Sequence, residues 1–227
     1  MMFDSALGDL LPLAVGIAIS PIPIIACILI LFSDRARVNG PAFLVGWIAG
    51  LVGATVVVLL IADTSGASDP ASGPTIGDVI TLLLGIGAIA LGFRQWRGRP
   101  GPGETPAMPT WMAAVGGFTP VKALGFGVLL SALNPKNLAF VIAAGVVIDG
   151  AAAVGGSAPA MVILFVILAS LSIAVPVVYM IVGGDAAKRT LEGWRTWLAA
   201  NNAAVMAVLF IVIGAKLVGE GLDAFLA

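Results

Sequence analysis

"GVLLSALNPKNLAFVIAAG", residues 127–145, decides how the rest of the chain is read. The stretch is apolar over most of its length, yet Asn134, Pro135, Lys136 and Asn137 stand together near its centre. Proline lacks a backbone donor and clashes with the turn before it, so a helix running through this point is interrupted. Asparagine is a favoured helix cap and proline a favoured first helical residue, so Asn134-Pro135 reads as the start of a second half-helix. A lysine near the centre of a bilayer costs roughly 2.5–3.5 kcal/mol on insertion scales, so something must offset Lys136.

The composition places this stretch in a membrane. The 227 residues are 60% hydrophobic and 10% charged, whereas soluble domains carry about a quarter charged residues. Apolar runs of roughly 20 residues recur, enough for a helix to cross the hydrocarbon core. Six spans are expected, at about Ala6–Phe32, Pro41–Ala62, Ile76–Phe93, Val121–Ile148, Pro159–Val182 and Ala203–Gly219. The N-terminal "MMFDSALGDLLPLAVGIAISPIP" lacks the basic start and cleavage site of a signal peptide and reads as part of the mature protein.

Charge orients the spans. Arg35, Arg37, Arg94, Arg97, Arg99, Lys122, Lys188, Arg189 and Arg195 fall in alternate connections, and the intervening connections, 63–75 and 149–158, hold no Lys or Arg. That asymmetry puts the basic connections in the cytoplasm and both termini outside. Lys216, near the outer end of span six, is expected to snorkel to the interface. The net charge of −1 without basic blocks gives no footprint for nucleic acid.

A second interruption matches the first. Span one carries "SPIP", Ser20–Pro23, where Ser20-Pro21 repeats the cap-then-proline pattern. Spans one and four are both long, both are broken near the middle, and each leads into a span opened by proline (Pro41, Pro159). The expected fold is an all-α membrane protein of two inverted three-helix repeats, residues 1–96 and 121–227, joined by a Gly/Pro-rich cytoplasmic linker at 97–120. Ordinary proline kinks are the alternative. In "GDAAKRTLEGWRTWLAANN", 184–202, Leu191, Trp194, Trp197 and Leu198 share a helical face, as in a helix lying in the inner interface or an extension of span six.

Discontinuous helices in matching positions commonly form the substrate site of a transporter. Here that nominates Ser20, Pro21, Pro23, Ser131, Asn134, Pro135, Lys136 and Asn137 as substrate-binding residues. No carboxylate lies inside a span to pair with Lys136, and the first turn of a helix disfavours a cation. An anionic group on the cargo would answer that excess positive potential. Two other readings stay open: Lys136 bonds the carbonyls that end the preceding half-helix, or it releases its proton and couples transport to protons.

Pro21-Ile22-Pro23 and Asn134-Pro135-Lys136 resemble the Pro-x-Pro and Asn-Pro-Lys elements of the lysine-exporter (LysE) superfamily. "SPIPIIACILILFSDRARVNGPAFLVGW", 20–47, is most similar to its GAP branch, the glycolipid-addressing proteins of actinobacteria. Ile22 stands where many amino-acid exporters of the superfamily have glycine. The resemblance implies an exporter or flippase for a lipid-linked or anionic amphiphile in a bacterial cytoplasmic membrane. Export of small amino-acid-like solutes is the runner-up, and a non-transporting scaffold of a lipid-export complex is the third class. Expected partners are membrane lipids and a lipid-like or small anionic substrate. Gly46-x-x-x-Gly50 implies close helix packing within the subunit or in a homodimer. No cofactor, metal or catalytic role is expected: Cys27 is alone, there is no histidine, and no nucleophile–base pair can be assembled. Trp47 and Phe43 read as interfacial anchors near the inner end of span two.

Overall fold

The computed structural model describes residues 2–64, 76–101, 111–153 and 155–226, and every regular element among them is an α-helix. These are α1 (Met2–Ala18), α2 (Pro21–Leu31), α3 (Ala36–Thr64), α4 (Ile76–Arg97), α5 (Trp111–Val115), α6 (Pro120–Ala132), α7 (Pro135–Ala153) and α8 (Ala158–Leu226). The starts repeat one chemistry. Ser20, Thr119 and Asn134 each precede a proline at the first helical position. Such prolines forfeit no helical bond, because the first N–H groups of a helix have no intrahelical acceptor. Thr119 Oγ1 accepts from the Lys122 N–H, and Asn134 Oδ1 accepts from the Lys136 N–H at 3.0 Å.

Four helices are long and apolar enough to cross a membrane: Ala36–Ile61, Pro135–Ala152, Ala158–Gly184 and Ala186–Asp223. Ala6–Ala18 and Pro21–Leu31, bent by 52° at their junction, make a fifth when taken as one span. The chain is therefore a multi-pass membrane protein. Its exposed surface agrees: Val38, Val45, Val52, Val56 and Leu60 form a solvent-accessible apolar stripe along α3, the face a lipid tail would cover. The irregular linker expected over 97–110 lies outside the described residues from 102 onward, and α5 follows it.

Within α8 the one residue with non-helical torsions is Gly184, at φ 51° and ψ −129°, a conformation that side chains rarely adopt. The helix resumes at once and continues to Leu226, so the amphipathic segment at 186–202 is joined to the last span without a second break. Of the two forms expected for it, it takes that of a helix continuing past 202.

The chain divides into two compact units, Met1–Ser65 with Ala107–Leu198, and Gly66–Pro106 with Ala199–Ala227. Both draw on both halves of the sequence. In the first, α3 and α6 run side by side in parallel. A Cβ on Gly46 would lie 2.0 Å from the Leu124 carbonyl oxygen, and one on Gly50 would lie 2.0 Å from Ser131 Oγ. With little hydrophobic drive between helices in lipid, this backbone approach supplies the packing that holds them. The Gly46-x-x-x-Gly50 face is thus occupied by the chain's own α6. Phe43 and Trp47 are buried in the same seam, beside Gly127. They are core residues here and not interfacial anchors. In the second unit α4 packs antiparallel to the end of α8, with Gly85 against Gly214 and Val218 and Leu82 against Gly221. There Lys216 pairs with Glu220 one turn on, and Arg99 stacks 4.2 Å over the Trp96 ring.

Candidate functional site at the two helix breaks

Pro21 and Pro23 define the first break by the bonds they cannot make. In an unbroken helix the N–H of residue 21 would reach the Ile17 carbonyl and that of residue 23 the Ile19 carbonyl. Neither proline has one. The Ser20 N–H, which would have reached Gly16, bonds the Ala18 carbonyl instead at 2.9 Å. Gly16, Ile17 and Ile19 are left with carbonyls that α1 cannot satisfy itself.

Other groups satisfy them. Ser20 occupies the cap position of α2, but its hydroxyl makes no bond to that helix. It turns back and donates to the Ile17 carbonyl at 2.6 Å. Lys136 Nζ, from the first turn of α7, donates to the Gly16 carbonyl at 2.6 Å and, at a longer 3.4 Å, to that of Ile19. The ammonium thus sits at the C-terminal end of α1, where the helix dipole favours a cation, although it belongs to the N-terminal end of α7, where the dipole disfavours one.

The magnitudes explain why no carboxylate is needed. A hydrogen bond from a charged donor contributes about 1.5–3 kcal/mol, so one good bond and one long one are of the same size as the ~2.5–3.5 kcal/mol insertion cost. The Phe140 ring adds a cation–π contact with the Lys136 ammonium 5.5 Å from its centroid. Gly16 makes this approach geometrically feasible, since a Cβ there would lie 2.9 Å from the Phe140 ring. Among the described residues the partners of the ammonium are carbonyl oxygens and this aromatic face. Carbonyls solvate the charge without cancelling it.

The second break is held locally. Pro135 has no N–H for the Ser131 carbonyl, and Leu133 N–H closes the last turn of α6 on the Leu129 carbonyl at 3.0 Å. Asn137 Nδ2 reaches back to the Leu130 carbonyl at 3.0 Å. Its Oδ1 lies 3.4 Å from Ser20 Oγ, so this fully buried amide joins the two breaks.

The geometry therefore brings Ser20, Pro21, Pro23, Asn134, Pro135, Lys136 and Asn137 to one place. Ser131 belongs to the neighbouring seam: its hydroxyl donates to the Val128 carbonyl at 3.1 Å and it packs on Gly50. Pro135 and Leu133 are exposed, Leu133 to 70%, so the junction of α6 and α7 has an open apolar flank beside a half-buried ammonium. Sequence reasoning missed Gly16, Ile19 and Phe140. The signal for Ile19 was present, because counting four residues back from Pro23 marks that carbonyl as an orphan. It also missed Asn39, fully buried at the start of α3, whose Nδ2 donates to the Phe118 carbonyl at 2.8 Å while its Oδ1 has no hydrogen-bond partner among the described residues.

No curated protein and no solved structure matches the chain. The model of one family, described as Sap, sulfolipid-1-addressing protein, matches residues 10–223. With that match spanning nearly its whole length, a multi-pass chain with two conjoined helix breaks belongs to this lipid-addressing family of membrane proteins.

Proposed function

We propose that this chain exports or flips an anionic amphiphile, a glycolipid-like molecule carrying a sulfate, phosphate or carboxylate, across a bacterial cytoplasmic membrane. The cargo's anion is held at Lys136 during passage. The observation that carries this reading is an ammonium whose partners among the described residues are carbonyls and one aromatic face, with no carboxylate: its position is satisfied while its charge stays available to an incoming anion. The open apolar flank at Leu133 suits a cargo whose tails remain in lipid while its head group crosses. Family membership supports lipid as the cargo class.

In this reading the six-span count is kept by taking α6 and α7 as two halves of span four, α4 as span three, and α8 as spans five and six on either side of Gly184. The antiparallel packing of α4 on the end of α8 supports an inverted repeat, since the third helices of two inverted halves run in opposite directions. Placement with the lysine-exporter superfamily rests on the Pro-x-Pro and Asn-Pro-Lys elements meeting at one site. The termini face outward by the distribution of cations. No catalysis is assigned.

The test is a scramblase-type assay with the full chain in vesicles. A head-group-labelled phosphatidylglycerol is the probe, and dithionite reports its sidedness. Lys136→Met is expected to abolish flipping and Lys136→Arg to retain part of it. Wild-type rates in both variants would refute the anion role. A second reading, favoured by the 2.6 Å bond to Gly16, makes Lys136 a purely structural tie. It predicts that Lys136→Met and Lys136→Arg lose flipping only in proportion to lost folding.

A further inference from the structure

A crevice of about 460 Å³ opens beside the first break, walled by Ile24 of α2, Ser172, Val175 and Pro176 of α8 before Gly184, and Trp194 and Trp197 after it. Its size falls within the range of small-ligand sites. None of its lining side chains is ionisable, and one hydroxyl, that of Ser172, is their sole aliphatic polar group. Trp194 and Trp197 remain 41% and 58% exposed at its edge, the amphipathic aromatic pair expected where a membrane meets water.

Two further observations limit what fits. The crevice lies close to the site described above: Ile24 N–H donates to the Ser20 carbonyl at 3.2 Å, so its wall begins one turn from the break. Its aromatic edge also continues into a basic segment. Lys188 and Arg189 are exposed one to two turns before Trp194; in the sequence Asp185 precedes them, and Glu192, which follows, is paired with Arg195. An apolar slot with cations along the chain leading to its mouth is complementary to an anionic head group attached to a hydrocarbon tail.

We propose that this crevice takes one acyl chain of an anionic two-chain lipid from the cytoplasmic leaflet, with the head group against Lys188 and Arg189, and presents it to the helix breaks. The idea rests on the reading of the cargo as an amphiphile and deepens it by giving the tail a place and an entry side. Pro176 shapes the slot. It has no N–H for the Ser172 carbonyl and loosens that turn of α8.

The full-length protein in mild detergent, incubated with dioleoyl phosphatidylglycerol or dioleoyl phosphatidylcholine and examined by native mass spectrometry, tests this. One retained phosphatidylglycerol per chain is expected, with clear preference over phosphatidylcholine. Ser172→Trp, which fills the slot, is expected to cut retention about tenfold, the size of losing one well-buried apolar group. Trp194→Ala with Trp197→Ala, which dismantles the other wall and cannot overpack it, is expected to act in the same direction. Lys188→Gln with Arg189→Gln is expected to erase the head-group preference and keep the chain bound. Unchanged retention in both wall variants overturns the crevice, as does a wild type that retains no lipid. Lys136→Met separates this from the site at the breaks. Flipping lost with lipid still retained upholds both proposals. Flipping unaffected, with retention lost only in the wall variants, overturns the break site and leaves the crevice standing.

Discussion

The two breaks have the same cap-then-proline wording and are held together in different ways. At the first, between α1 and α2, prolines 21 and 23 remove two donors, and the nearest polar side chain, Ser20, replaces one of them. The rest of the deficit is met from the opposite half of the sequence, 120 residues away, by Lys136. At the second, between α6 and α7, one proline removes one donor, and Asn134 and Asn137 within the same stretch serve the local ends. The first break is thus short of donors and the second has one to lend. Two breaks with the same wording need not share a chemistry. The lysine written into the second half is, by its contacts, a component of the first.

The comparison breaks most sharply at Lys136. Lys136→Met leaves the Gly16 and Ile19 carbonyls without their donor, and each buried unsatisfied group costs about 1–3 kcal/mol. A loss of about 2–4 kcal/mol is expected in unfolding from mixed detergent micelles, with the damage appearing as exchange protection lost at the end of α1 and not in α6. Protection lost chiefly in α6 and α7 would make the lysine local after all.

Next comes Asn137→Ala, which strands the Leu130 carbonyl and severs the link to Ser20; about 1–3 kcal/mol is expected by the same unfolding measurement. Ser20→Ala strands the Ile17 carbonyl and removes the longer 3.4 Å contact to Asn137 Oδ1, and should cost about 1–2 kcal/mol. Asn134→Ala removes a helix cap, a change of about 1 kcal/mol that should fray the start of α7 and leave α1 intact. The finest test pairs Lys136→Met with Pro23→Ala. Alanine returns an N–H to the Ile19 carbonyl, so the lysine should matter less in that background, by roughly 0.5–1.5 kcal/mol of coupling. Additive losses would show that the 3.4 Å contact to Ile19 carries no weight.

Much of this architecture was legible from local chemistry. Prolines behind capping residues mark the starts of α2 and α7, and the bent pair of α1 and α2 ends at Leu31, within a residue of the expected Phe32. The junctions were readable because a missing N–H acts within four residues. What Lys136 touches was not readable, because periodicity describes one helix at a time and the end of α1 meets the start of α7 only through tertiary packing. The carbonyl alternative names the preceding half-helix, α6, whereas the bonds run to the end of α1. Trp47 failed for a related reason. An aromatic near the end of a span reads as a belt residue unless its neighbours are considered, and Gly46 and Gly50 were the hint that a second backbone would cover that face. The Lys216–Glu220 pair was legible from its four-residue spacing.

A cation solvated by carbonyls has an electrical consequence that a cation in an ion pair does not. On the export reading, the unloaded site carries one uncompensated positive charge, and a bound monoanion brings it to zero. Moving a unit charge through the whole membrane potential changes its energy by about 2.3 kcal/mol per 100 mV. A negative interior would then draw the vacant site toward the cytoplasm and leave the occupied one indifferent to voltage. Resetting after each delivery would be driven by the cell's resting polarisation, without a coupling ion.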